Sequence, residues 1–91
     1  MYGIQSEKYI KFIASGPYAS LVKERIYGKN QVVTSIDETS TVVEVDMQNK
    51  ENILVFILGF NKHVKVLEPK WLIDELIEFK EFISKEYDKE V

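Results

Sequence analysis

Cysteine is absent from this 91-residue sequence, which excludes disulfides, thiolate nucleophiles and sulfur-ligated metals and suits a reducing compartment. Glycine is scarce as well. The four glycines stand apart at positions 3, 16, 28 and 59, so no glycine-rich phosphate loop can form. A single histidine, His63, lies near Lys62 and Lys65 in a segment that reads as a strand. Alone it builds neither a catalytic triad nor a multi-histidine metal site, and it is expected as a solvent-facing strand residue. The longest apolar run, Ile53 to Gly59 with Phe60, falls far short of the roughly 20 residues of a transmembrane helix. The opening residues Met1 to Ser6 show neither a basic nor an apolar signal region. Positive charge is not in excess, with 12 Lys and Arg against 15 Asp and Glu and a net charge of −3. That balance argues against a sequence-independent grip on nucleic acid, which depends on Lys and Arg neutralising phosphates. These absences lead us to expect a cytoplasmic, non-catalytic protein with no catalytic residues, no cofactor, no metal and no membrane contact.

What is present is ordinary globular material, 45 % hydrophobic and 30 % charged, enough for one core and one domain. From Glu7 to Ala14 apolar and polar residues alternate, with Ile10, Phe12 and Ala14 on one face, as in a strand. Ser15-Gly16-Pro17 then punctuates the chain. Tyr18, Leu21, Val22, Arg25 and Ile26 recur at helical spacing, with Gly28 expected as a left-handed cap. Gln31–Ile36 and Thr41–Met47 are β-branched runs joined by a short polar loop, the pattern of an antiparallel hairpin. Asn49 reads as the N-cap of an apolar helix from Lys50 to Leu58. After a break at Gly59 to Asn61, Val64, Val66 and Leu67 make a last short strand. Pro69 is placed to open a long amphipathic helix to about Lys89. Its apolar stripe is Leu72, Ile73, Leu76, Phe79, Ile83 and Tyr87.

This order predicts an α+β fold: a ferredoxin-like βαββαβ unit with a four-stranded antiparallel sheet and an additional long C-terminal helix. Residues 1–6 read as a linker remnant and 7–91 as the single domain. The fold invites an RNA-binding reading, which the open sheet face opposes, because Tyr9 is its only expected aromatic and Glu44 and Asp46 place acids there. Two carboxylates on one strand face could form an acid/base pair, but a cross-strand pairing with Lys11 is the simpler use. Trp71 and Phe82 widen the stripe of the last helix beyond what one sheet contact requires. Such surplus apolar surface either marks an oligomer or interdomain contact or is buried where the helix crosses the sheet edge.

Specific wording carries a family resemblance. Ile53-Leu54-Val55-Phe56-Ile57-Leu58-Gly59-Phe60, then Val64-Lys65-Val66-Leu67-Glu68-Pro69, Leu72 and Tyr87, resembles the C-terminal extension of bacterial WYL-domain transcription regulators. Val22-Lys23-Glu24-Arg25 followed by Gln31 is similar to that family's first helix and second strand, and Tyr2-Gly3-Ile4 to the segment joining the extension to the WYL domain. The family often has glycine where this chain has Phe60 or Asn61.

The resemblance implies a regulator fragment. Its own WYL and helix-turn-helix domains would be its partners, DNA would be met only through the N-terminal domain, and a homodimer is expected. Its expected role is regulation and dimerisation, contributing to assembly and to effector sensing. Tyr18, Lys23 and Arg25 are the candidates for a ligand or partner contact, and Trp71 and Phe82 for an oligomer or interdomain contact. Arg25, flanked on a predicted helix by Val22 and Ile26, could offer a bidentate contact to phosphate or carboxylate, or an ordinary salt bridge to Glu24 or Asp37. The alternative is a stand-alone small-molecule-binding ferredoxin-like domain, in which a dimer encloses a pocket between open sheet faces lined by Tyr9, Ile13, Val42 and Glu44.

Overall fold

A computed structural model describes residues 7–87; the expected linker at residues 1–6 and the last turn of helix toward Lys89 lie outside the described residues. Four strands, β1 (Lys8–Ser15), β2 (Lys29–Asp37), β3 (Ser40–Met47) and β4 (Val64–Glu68), form one sheet in the order β2-β3-β1-β4, every neighbouring pair antiparallel. Between them lie α1 (Tyr18–Leu21), α2 (Lys50–Leu58) and α3 (Lys70–Tyr87), with 3-10 turns at Val22–Glu24 and Asn61–His63. The predicted βαββαβ order with an added C-terminal helix is therefore the observed one.

The period of two decides which face is buried. Ile10, Phe12 and Ala14 of β1 sit against Val45, Val43 and Thr41 of β3, all of them buried. Across the other edge Phe12 faces Val66. Ile53, Ile57 and Phe60 from α2 and its exit, Val22 after α1, and Leu72 of α3 complete this cluster. Burying each of the larger side chains contributes about 1.5–3 kcal/mol. Thr41 is the one buried polar residue among those described, and its hydroxyl donates to the carbonyl of Ala19 at 2.7 Å, tying α1 to the sheet. At α2 the Asn49 side chain accepts from the N–H groups of Glu51 and Asn52 at 3.0 and 3.1 Å, the cap the sequence predicts.

Four expectations need correction. The first helix does not run to Ile26: one α-helical turn tightens into a 3-10 turn, and Arg25 is extended at φ −126°, ψ 149°. Val22, Ile26 and Tyr27 are β-branched or aromatic and support a helix weakly. The extended path lets Tyr27 reach the rings of Phe56 and Phe60. Gly28 is not a left-handed cap, since Gly16, at φ 63°, is the only described glycine with positive φ. Gly28 instead passes so close to β3 that a Cβ there would lie 2.3 Å from the carbonyl oxygen of Asp46. His63 ends a 3-10 turn rather than sitting in a strand, and its half-buried ring lies 5.3 Å from that of Tyr18. Pro69 precedes α3 instead of occupying its first position, its carbonyl accepting from Leu72 and Ile73.

Because α1 is a single turn, little covers β2. Val33, on the helix side, is 36 % exposed, while Val32 and Ile36 are more so. Irregular pairing between Lys29 and Val32 and between Ser35 and Asp37 interrupts this edge strand at both ends, a device that discourages further strand pairing. The stripe of α3 is likewise only partly used. Leu72 is buried and Ile73 and Leu76 pack against the core, but Phe79, Phe82, Ile83 and Tyr87 are 38, 56, 39 and 66 % exposed.

Candidate functional site

On the helical side of the sheet, aromatic side chains from four segments converge. Phe60, just past α2, has its ring centroid 5.4 Å from Tyr18, 4.9 Å from Phe56, 6.3 Å from Tyr27 and 6.0 Å from Phe12. Tyr18 and Phe56 stand almost perpendicular to it, the edge-to-face geometry aromatic quadrupoles prefer. Phe56 and Phe60 are four residues apart where α2 exits, which brings them to one side. Above the cluster lies an open groove of about 360 Å³, walled by Tyr18, Leu21, Tyr27, Phe56 and Phe60, with Arg25 on its rim.

The loop that carries Arg25 is held by one side chain. Gln31 donates from Nε2 to the carbonyl of Arg25 and accepts at Oε1 from the N–H of Tyr27, both at 2.7 Å. The guanidinium makes no ion pair among the described residues. Asp37, one of its expected salt-bridge partners, is engaged in the hairpin turn, accepting from the N–H of Thr39 at 2.7 Å and its hydroxyl at 3.0 Å. The Thr39 N–H foremost holds the Asp37 carboxyl below its ordinary range. Burial pushes the Tyr27 phenol up, and the positive charge of Arg25 partly offsets it.

Of the residues singled out in the sequence, Tyr18 and Arg25 therefore meet at this groove, whereas Lys23 is exposed in the 3-10 turn and does not line it. Tyr27, Phe56, Phe60 and Gln31 went unassigned to a site. The spacing of Phe56 and Phe60 was a usable signal, but the placement of Tyr27 depended on where the first helix ended.

The two aromatics expected at an assembly contact part company. Trp71 is half-buried against the core, its ring flanked by the ammonium groups of Lys8 and Lys50 at 5.7 and 5.6 Å. Phe82 lies on the exposed second half of α3, its ring stacked 6.3 Å from Phe79. Beside them an open cleft of about 720 Å³ runs between Leu58 and the Leu76, Phe79 and Ile83 side of α3, with Lys62 and Lys80 on it.

On the open sheet face Ile13 and Val42 lie opposite one another, and the acids of β3 are paired. Lys11 stands opposite Glu44, as expected, yet Glu44 Oε1 accepts from the Tyr9 hydroxyl at 2.6 Å, and Asp46 accepts from Asn30 Nδ2 at 2.8 Å. That hydrogen bond to Glu44 is the main cause that pushes the Tyr9 phenol up to about 12.

The fold and these surfaces define a ferredoxin-like α+β domain with an aromatic groove and a last helix whose second half is exposed. The family model for the WCX domain matches residues 9–78. The chain belongs to that family, the C-terminal extension of WYL-domain regulators. No curated protein matches the chain. No helix among the described residues is long and apolar enough to cross a membrane.

Proposed function

We propose that this domain is the regulatory and dimerisation module of a cytoplasmic WYL-type transcription regulator, with the exposed apolar stripe of the second half of α3 supplying the contact between two copies. It binds rather than catalyses, and DNA is engaged by the helix-turn-helix domain of such a regulator. One observation carries this reading: the apolar stripe of α3 continues through Phe79, Phe82, Ile83 and Tyr87 after the domain's own core has ended. Those four positions extend over about 12 Å of helix axis, and apolar surface continuous along an element is the usual mark of a contact.

Light scattering on the 91-residue chain across concentration tests this. The expected result is a dimer that Phe82→Glu converts to a monomer with unchanged circular dichroism. Trp71→Ala is expected to lower thermal stability instead, because its ring packs within the chain. A wild-type monomer at every concentration overturns the assembly role of α3. A contribution to effector sensing is favoured by a separate observation, the meeting of Tyr18 and Arg25 at the aromatic groove.

A further inference from the structure

We propose that the groove walled by Tyr18, Leu21, Tyr27, Phe56 and Phe60 binds a small molecule with a flat apolar body and one anionic group, the anion held by Arg25. The inference rests on the effector reading above and names the chemistry of its ligand.

Size fits a small molecule. At about 360 Å³ the groove falls within the range of small-molecule sites, about 300–1,000 Å³. Shape selects a flat guest. Phe60 lies perpendicular to both Tyr18 and Phe56, so the walls alternate ring edges and faces, and a planar ring continues that arrangement favourably.

Charge selects an anion. Arg25 is the one charged side chain among the described residues lining the groove, and its guanidinium is not engaged by a carboxylate among the described residues. Gln31 fixes the backbone at the Arg25 carbonyl and at the Tyr27 N–H just after it, so part of the ordering that binding requires is already present. A guanidinium is a planar fork that meets a carboxylate, sulfonate or phosphate through two parallel hydrogen bonds. A cationic guest is repelled at the same rim.

The probes are 1-anilinonaphthalene-8-sulfonate and its neutral counterpart N-phenyl-1-naphthylamine, each titrated into the ¹⁵N-labelled 91-residue chain and followed by amide shifts. The expected shifts for the sulfonate centre on Leu21, Tyr27, Phe56 and Gly59. Arg25→Gln is expected to weaken the sulfonate about tenfold, the equivalent of losing one charge-assisted contact, and the neutral probe less than twofold, with the melting temperature unchanged. Equal effects of Arg25→Gln on both probes, with shifts still in the groove, overturn the anion preference while leaving the effector reading standing. Shifts centred on Phe79, Phe82 and Ile83, or no shifts at all, overturn both.

Discussion

Gly28 offers the sharpest test of the reasoning, because two accounts of this glycine predict different substitution patterns. If it ended a helix in a left-handed conformation, asparagine would replace it at little cost, since asparagine tolerates that region. The structure gives it another task. A Cβ at Gly28 would stand 2.3 Å from the carbonyl oxygen of Asp46, 3.0 Å from Val45 Cγ2 and 3.2 Å from Met47 Cγ. The first of these is a backbone atom of the central strand β3 and cannot swing aside. Either β3 or the loop from Arg25 to Gly28 must move, and overpacking of this kind costs about 1–3 kcal/mol. The whole domain should be stable by only about 5–14 kcal/mol, and each kcal/mol lowers the melting temperature by roughly 4–8 °C in a chain of this size. Gly28→Ala and Gly28→Asn should therefore both lose at least about 1 kcal/mol in urea unfolding. Gly59→Ala is the control: its φ is −66°, its Cβ would meet only the Phe56 and Val55 carbonyls at 3.4 Å, and the change should range from neutral to about 1 kcal/mol stabilising. A Gly28→Asn variant as stable as wild type would refute the close-approach account.

Two further perturbations read other parts of the fold. Asn49→Ala removes an acceptor for two N–H groups from a residue at φ 70°, and should cost about 0.5–2 kcal/mol in thermal or urea unfolding, against a few tenths for Asn49→Gly, which tolerates the positive φ; equal losses for the two would contradict this. Tyr9, pushed up to about 12 from an ordinary value of 10.0, favours the folded state while protonated, so its contribution is complete below pH 10 and is lost as pH rises through 12. In a near-ultraviolet absorbance titration Glu44→Gln should bring the latest tyrosine transition down, and an unchanged titration would show that the Tyr9–Glu44 hydrogen bond does not govern it.

Elements with a strong period were legible in the sequence. Ile10, Phe12 and Ala14 alternate with polar neighbours and are all buried. Asn49 caps α2 at the predicted residue, and the α2 boundaries are those read from the sequence. The cross-strand partner of Glu44 in register was also legible, as Lys11. What failed was local competition. Over Tyr18 to Ile26 both the spacing and the helix formers Ala19, Leu21, Lys23, Glu24 and Arg25 favour a helix, and the contacts of Tyr27 with the aromatic cluster oppose its continuation. The burial of α3 was illegible for another reason: periodicity marks which side of a helix is apolar, but not how far along its length the rest of the domain extends. Leu72 and Phe82 belong to one broadened stripe, yet only the first lies over the core.

The early end of the first helix and the presence of the groove are one structural fact. A helix continuing from Tyr18 to Ile26 would carry Arg25 on the next turns and keep Tyr27 away from Phe60. As the chain runs, one helical turn is held down by Thr41 through the Ala19 carbonyl, and Gln31 then takes the carbonyl of Arg25 and the N–H of Tyr27. Tyr27 enters the cluster and Arg25 is left on its rim. Gln31→Ala should therefore act on the groove more than on the core. It frees one carbonyl and one N–H that can turn to water, so the stability loss should stay near 1 kcal/mol, while the amide signals of Arg25 to Gly28 should broaden or shift and binding of the sulfonate probe should weaken without any change in the charge of the groove. Unchanged probe affinity in that variant would show that Arg25 acts as a free charge and that its anchoring contributes nothing.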